Sequence, residues 1–289
     1  MMNAKGLKRR LGSAKVRAMR PIRWVANGIR WGPSTLMRAP AVVGNAMPKA
    51  GSHLIGQVLL GLPQFGPFMF TPSNKLNRGP NHSKLTVAQT RSRIRGLMPG
   101  EVAYANLSAR EEFTALLTAP GMATIYVYRD PRDLVVSRVF YATEMHAGHA
   151  LHDYLAHSLK TLEKRLDLFI LGQPELDLRS LRQRYDRHMG WFHHPEVLCI
   201  RFEDLILDRR PTLLGILRFI ELRGFKPSVP EERCVDLMER AIAPQKSPTF
   251  RRGQPGNWKE YFSEQNKRHF KETTGDLLVR LGYEKNDDW

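Results

Sequence analysis

Ala41-Val-Val-Gly-Asn-Ala-Met-Pro-Lys-Ala-Gly-Ser-His-Leu54 carries one apolar run through a tight turn into a second. Ala41-Val-Val-Gly-Asn-Ala46 has the pattern of a buried strand. Pro48 ends it, because proline donates nothing to a ladder. Lys49-Ala-Gly-Ser52 forms the turn, and Gly51 lets backbone come close to a ligand. Leu54-Ile-Gly-Gln-Val-Leu-Leu60 reads as an apolar helix with Ser52 as its N-cap. Free N–H groups and the helix dipole make such a corner an anion site, to which Lys49 adds a mobile charge. No G-x-x-x-x-G-K-[ST] loop occurs in the chain. The plain alternative is an ordinary turn with a solvated lysine.

A second corner has the same form. Thr124-Ile-Tyr-Val-Tyr128 is a β-branched and aromatic run that predicts a buried strand. Asp130 suits the N-cap of the next helix, Pro131 its first turn, and Asp133 a weak capping box. Leu134-Val-Val-Ser-Arg-Val-Phe-Tyr141 continues that helix. Arg129 then lies at the strand's carboxyl end. Ser137 lies two turns into the helix with its side chain leaning back, so the two can share a phosphate. A surface ion-pair cluster of Arg129, Asp130, Arg132 and Asp133 is the alternative. A third stretch, Phe250-Arg-Arg-Gly-Gln-Pro-Gly-Asn-Trp-Lys259, sets two arginine forks beside Gly253 and Gly256, a combination suited to phosphate oxygens.

Taken together and in order, these stretches resemble the cytosolic-type sulfotransferase family, in a bacterial-type form. Pro48-Lys-Ala-Gly-Ser-His-Leu54 stands where the family has P-K-S-G-T-T-W. Arg129 and Ser137 stand at the ends of its R-(seven residues)-S motif. Arg251-Arg-Gly-Gln-Pro-Gly-Asn-Trp-Lys259 stands for R-K-G-x-x-G-D-W-K, and Phe202-Glu-Asp-Leu205 for Y-E-D-L. The resemblance covers roughly residues 41 to 283. It implies a P-loop-like three-layer α/β fold with a mostly parallel sheet flanked by helices. It also implies 3′-phosphoadenosine 5′-phosphosulfate (PAPS) as co-substrate, with no metal. Lys49, Ala50, Gly51, Ser52 and His53 are then expected at the 5′-phosphosulfate. Arg129, Ser137, Arg251, Arg252 and Gly253 are expected at the 3′-phosphate, and Leu54 and Phe202 near adenine. Lys49 is the expected catalytic cation. Chemistry of this kind rests on positioning and charge stabilisation.

Three departures bear on activity. Asn106 stands where the family has its catalytic histidine, and asparagine is no base at neutral pH. His53 becomes the nearest candidate base, with Glu101, His82, Glu144 and His149 behind it. Leu54 replaces a tryptophan that stacks on adenine. Lys259-x-x-x-Ser263-Glu264-x-x-x-Arg268 lacks the apolar centre and final acid of the family's dimer motif, which leaves the oligomeric state open. A non-catalytic donor-binding relative and a nucleotide kinase-like phosphoryl transferase are the rival readings.

The chain has 289 residues and a net charge of +17. The first 100 residues hold 17 Lys or Arg and no Asp or Glu, so that third carries the whole excess. Residues 1–38 read as a basic extension, 39–283 as the sulfotransferase domain and 284–289 as a tail. Between Lys5 and Trp31, Leu7, Leu11, Met19, Ile22, Trp24, Val25, Ile29 and Trp31 alternate with cations, and Pro21 divides two short amphipathic segments. A cytoplasmic protein with peripheral membrane contact through residues 5–31 is expected, since no signal peptide or spanning run is evident. A helix packed on the domain, a disordered basic arm and an organelle transit peptide are the alternatives there. No nucleic-acid motif accompanies the charge. Residues 61–100, rich in Gly, Pro and Asn, read as a long irregular acceptor-side lid. Its cations favour an anionic acceptor such as an acidic glycan or a lipid-linked sugar. Asp153–Ile170, Pro211–Leu222 and Phe262–Leu281 read as helices. Two cysteines, Cys199 and Cys234, fit a reducing compartment and no cysteine metal site. His146, His149 and His152 are spaced by three, but Gly148 interrupts them.

Overall fold

The computed structural model describes residues 18–79, 83–247 and 251–289. Leu7, Leu11, His82 and Phe250 lie outside the described residues. Two segments precede the sheet: α1 (Arg20–Trp31) and α2 (Pro33–Arg38). Then come β1 (Ala41–Ala46), α3 (Ser52–Leu59), β2 (Met69–Lys75), α4 (Val87–Arg95), β3 (Glu101–Ala105), α5 (Glu111–Leu117), β4 (Met122–Tyr128) and α6 (Pro131–Phe140). After two π-helical turns follow α7 (Leu162–Leu171), α8 (Leu181–Met189), β5 (Val197–Arg201), α9 (Asp204–Leu207), α10 (Arg209–Glu221) and α11 (Glu231–Arg240). The chain ends with α12 (Trp258–Tyr261), α13 (Glu264–Thr274) and α14 (Leu277–Arg280).

The five strands form one sheet in the order β2-β3-β1-β4-β5, and every pairing is parallel. β1 is therefore the centre. The chain leaves it toward β2 and β3 on one side, then returns to β4 and β5 on the other. In a sheet wound this way, ligands collect outside the carboxyl ends of the strands where the direction reverses. The side chains alternate as a sheet covered on both faces requires. Val42, Ala46, Ile125 and Val127 pack with Ile55 and Val58 of α3, Ile216 and Ile220 of α10 and Met238 of α11. Val43, Ala103, Ala105 and Tyr126 pack with Ile94 of α4, Phe113 of α5 and Trp191. A third cluster joins α6, α7, α8, α13 and α14, and includes Met47 and Ala50 just beyond β1. The α/β layering read from the sequence is the one found.

Several local expectations are corrected. Residues 61–100 are not irregular throughout: they contain β2 and α4. Gly and Pro density hid them, because Pro72 sits in an edge strand, where a missing N–H is tolerated. The helix expected over Asp153–Ile170 is interrupted at Leu159, whose backbone is extended. Thr161 then caps α7, and Arg165 Nε donates to the Leu155 and Leu159 carbonyls at 3.0 and 2.8 Å, closing off the preceding turn. The final helix is broken at Gly275, which has φ 54°. Pro21 lies in the first turn of α1, the one place where a helix accepts proline, and the first of the two expected segments lies outside the described residues. The 284–289 tail is docked: Trp289 packs edge-on against Trp258 and Phe270, with ring centroids 5.4 Å away in both cases.

α1 lies along the amino-terminal side of the domain. At about 100° per residue, Arg20, Trp24, Gly28 and Trp31 share one face, and Ile22, Val25 and Ile29 the opposite one. The first face is docked: Trp24 Nε1 donates to the Pro99 carbonyl at 3.0 Å, and Arg20 pairs with the fully buried carboxylate of Glu101 at 2.5 Å. Glu101 also accepts the Met98 N–H at 2.9 Å. Removing the arginine leaves that carboxylate buried without its cation. Arg20→Ala is expected to cost about 2 kcal/mol, discounted because the arginine is partly exposed. Adding Glu101→Gln should recover part of the loss. Urea unfolding of the two variants checks both.

Candidate active site

The carboxyl ends of β1, β3 and β4 open on a cavity of about 580 Å³. Nine Lys or Arg residues line it, against one carboxylate, Asp133. Every residue expected at the donor lines this cavity except Ala50, which is fully buried and whose N–H donates to the Met47 carbonyl at 2.9 Å.

The corner after β1 is built differently from expectation. Ser52 is not the N-cap; Gly51 is, in the left-handed region at φ 99°. A Cβ on Gly51 would stand 2.6 Å from Phe202 Cδ2, so glycine is required by both conformation and space. Ser52, His53 and Leu54 occupy the first helical positions, whose N–H groups have no intrahelical acceptors. Lys49 also has a positive φ, 74°. That conformation is costly for a residue with a Cβ and marks a strained turn held by its surroundings. Lys49 Nζ lies 3.9 Å from the ring centroid of Tyr141, which is a cation–π contact. Burial, and secondarily Arg129, lowers the Lys49 pKa to about 8.

Asn106, just past β3, braces this turn. Its Nδ2 donates to the Ala46 carbonyl and to Ser52 Oγ, both at 2.7 Å. The asparagine at the expected histidine position thus holds the strand end to the loop and lines the cavity. His53 is exposed at the rim. Partial burial, then Lys75 and Lys49, lowers its pKa, which keeps the ring neutral at neutral pH. Among the other candidate bases, Glu101 is excluded, since it stands at the amino end of β3 and is paired with Arg20. Glu144 is exposed in the π-helical turn Tyr141–Met145 and does not line the cavity. His149 does line it, but its Nδ1 accepts the Leu151 N–H at 3.1 Å. The neutral ring therefore carries its proton on Nε2 and is not a base through that nitrogen.

The corner after β4 brings the second set together. Asp130 caps α6, accepting the Arg132 N–H at 2.8 Å, and the Arg132 guanidinium closes on the same carboxylate at 2.7 Å. Arg132 also reaches Glu284 at 2.6 Å and lies 4.2 Å from the Trp258 ring centroid. These groups are structural. Arg129 is buried over Phe202, 4.5 Å from its ring centroid, and its carbonyl accepts the Tyr185 hydroxyl at 2.7 Å. Arg129 Nε is buried with no hydrogen-bond partner, and its ion pair with Asp133 is long, at 3.6 Å. Ser137 faces the same cavity from α6.

Asp133 has a role the sequence did not show. It makes no capping box. Its two oxygens accept the N–H groups of Gly256 and Trp258 at 2.8 and 2.9 Å. This fixes the basic loop to α6 and sets Arg251, Arg252 and Gly253 at the cavity wall. Arg251 lies 4.0 Å from the Phe140 ring centroid, and Arg252 pairs with Glu260 at 2.7 Å. Glu203 joins the β4 corner to the end of the chain, accepting from the Asp130 N–H at 3.1 Å and the Tyr283 hydroxyl at 2.7 Å. No local pattern signals Asp133 or Tyr185. Tyr141 alone had one, because it lies four residues after Ser137 and so shares its helix face.

This combination of a parallel sheet, a cation-bearing turn at a helix start and arginines from two further loops defines a nucleotide- or polyanion-binding α/β protein. The family model described as Sulfotransferase domain matches residues 42–282, and the chain belongs to that family. It is similar to an amine sulfotransferase of Oryctolagus cuniculus, 23% identical over 191 residues, which is 57% of this chain and 58% of that protein. The match thus spans little more than half of that relative. Among solved structures it is similar to mouse sulfotransferase SULT7A1 complexed with PAP (TM-score 0.57, 18% identity, 85% of this chain and 88% of that one). It is also similar to retinol dehydratase in complex with androsterone and inactive cofactor PAP (TM-score 0.55, 16% identity, 84% and 83%). At such identities the structures establish a shared fold.

The lowered Lys49 pKa gives the site a pH signature. Below about 8 the ammonium is charged and attracts an anion; above it the charge is lost. An ordinary lysine would stay charged well beyond that range. Affinity for PAP (3′,5′-adenosine bisphosphate) is expected to fall about tenfold between about pH 7 and about pH 9. In Lys49→Arg, whose side chain stays charged, the fall should vanish. Calorimetric titration across that range checks it.

Proposed function

We propose that this protein moves a sulfuryl group from PAPS to a hydroxyl or amine of an acceptor, and that 39–283 is the catalytic domain. The observation that carries the reading is the charge balance of the cavity: nine cations face one carboxylate, and both oxygens of that carboxylate already accept backbone N–H groups. A cleft lined so predominantly by cations attracts a polyanion. The unpartnered Arg129 Nε and the close glycine approach at Gly51 suit phosphate groups in particular.

In this reading Ser52, His53 and Leu54 present N–H groups, with Ser52 Oγ beside them, to the 5′ end of the donor. Arg129, Ser137, Arg251, Arg252 and Gly253 hold its 3′-phosphate, and Phe202 and Leu54 flank the base. PAPS supplies the activated sulfuryl group. Lys49 neutralises charge at the bridging oxygen as the leaving group departs, and the donor's own negative charge keeps that ammonium protonated at neutral pH. Asn106 fixes the loop geometry but accepts no proton. His53, neutral and at the rim, takes the acceptor's proton.

The experiment is transfer of radiolabelled sulfur from PAPS to a panel of phenols, alcohols and amines, acidic members included. Lys49→Ala is expected to reduce transfer by about 10²- to 10³-fold. His53→Asn should reduce it by about 10²-fold without weakening PAP binding. Donor binding with no labelled product from any acceptor would establish instead a non-catalytic binding relative.

The acceptor reading is an anionic molecule, because Lys75, Arg78 and Lys84 stand at the cavity wall and steer negative charge inward. Peripheral membrane contact belongs to the same reading. Ile22, Val25 and Ile29, on the undocked face of α1, are 59%, 54% and 78% exposed, with Arg23 and Arg30 also on the surface of that helix. An apolar stripe flanked by cations suits an anionic bilayer. The docked face argues for substitution rather than truncation. The triple Ile22→Gln, Val25→Gln and Ile29→Gln variant should lose pelleting with phosphatidylserine vesicles that the wild type retains. Equal pelleting would remove the membrane assignment.

A further inference from the structure

Past Tyr141, the cavity has a second cationic wall that the donor reading does not use. Arg138 and Arg184 both line it, together with Met145, His149 and Phe169. Arg138 lies 4.3 Å from the Phe169 ring centroid, and its Nη1 is buried with no hydrogen-bond partner. Arg184 Nε is likewise buried and unpartnered. Among the described residues neither guanidinium forms an ion pair, and the charges acting most strongly on each come from other arginines. Burial and these like charges push both guanidinium pKa values down. The neighbouring His188 is held neutral, pushed down to about 3 by burial, then by Arg184 and Arg187. Two partly buried arginines without a counter-charge are unfavourable in an unliganded protein.

Helix geometry separates this pair from the 3′-phosphate wall. Arg138 follows Ser137 on α6 and is turned about 100° from it, toward Tyr141 and the turn that leads to His149. Ser137 shares its side of the helix with Asp133 and Phe140, against which Arg251 packs. Lys49, over Tyr141, stands between the two walls: its charge is felt both beside Arg129 and at His149, which also feels Arg138.

We infer that Arg138 and Arg184 form an anion subsite that takes a carboxylate, sulfate or phosphate group of the acceptor, with the acceptor's nucleophile directed toward Lys49. The inference rests on the sulfotransferase reading and assigns the acceptor half of the cavity to a molecule with an acidic group and a hydroxyl or amine. The planar forks suit bidentate pairing with such a group, while the cations of the rim serve attraction rather than docking.

The test fills the donor site first. Protein saturated with PAP is heated while inorganic phosphate is raised from about 1 to about 100 mM, against chloride of matched ionic strength. The wild-type unfolding midpoint should rise with phosphate beyond the chloride control. Arg138→Met and Arg184→Met should each abolish that rise, with a higher starting midpoint, since each removes an unpaired buried charge. Circular dichroism establishes that the variants fold, and their PAP affinity should stay within about threefold of wild type. No phosphate effect in wild type, or an equal effect in both variants, would overturn the subsite. A tenfold or greater loss of PAP affinity in Arg138→Met would assign the pair to the donor and also overturn it. Failure of the wild type to bind PAP would count against the sulfotransferase reading; the subsite is then judged by the difference in phosphate response between wild type and the two variants, since phosphate entering the open donor cavity raises all three midpoints alike.

Discussion

One buried carboxylate organises the site. Asp133 accepts two backbone N–H groups from a loop more than a hundred residues away in sequence and lies beside Arg129. Without it, the loop bearing Arg251, Arg252 and Gly253 loses both of its backbone hydrogen bonds to α6. As one carboxylate against nine cations, with its pair to Arg129 long, it neutralises little of the cationic wall. Its position reconciles two demands that usually conflict: the loop must be ordered before the ligand arrives, and the arginines must be left available to that ligand. Preorganisation of this kind is what lets electrostatic stabilisation act without reorganisation cost.

The corners themselves follow from chain chemistry. β1 and β4 were legible because a fully buried parallel strand is apolar on both faces, so the runs at Ala41 and Thr124 need no partner to be recognised. Asp130 and Pro131 announced the start of α6 through local rules and kept that role. Ser52 was misread because a hydroxyl at a helix start usually caps it, whereas here Gly51 takes the left-handed cap position under Phe202 and the serine hydroxyl is held by Asn106. β2 was missed because its proline and polar residues disguise an edge strand. What stayed hidden is long-range: Asp133 to Trp258, Tyr185 to Arg129, Glu203 to Tyr283. Each is a single hydrogen bond between distant stretches, and no periodicity encodes it. The family resemblance carried the order of the motifs, but Asn106 shows its limit. The residue lies beside the turn after β1, as that order implies, yet its amide serves as a brace.

The charge asymmetry of the chain has a structural counterpart. The acid-free first hundred residues supply Lys49 at the heart of the cavity, Lys75, Arg78 and Lys84 at its wall, and the cations of α1 on the outside. Arg20 is the exception, since it neutralises Glu101 at the opposite end of the sheet from the site. That charge is thus divided among the cavity, the outer surface of α1 and one structural pair. Among the described residues no helix is long and apolar enough to cross a membrane.

Isothermal calorimetry with PAP in the presence of EDTA, with Arg129→Ala beside the wild type, tests whether these cations hold a nucleotide carrying both a 5′ and a 3′ phosphate group. Micromolar or tighter binding without magnesium is expected, weakened about a hundredfold or more in the variant. A folded wild-type protein that ignores PAP, or binds it only when magnesium is added, would overturn the assignment of these cations to the donor.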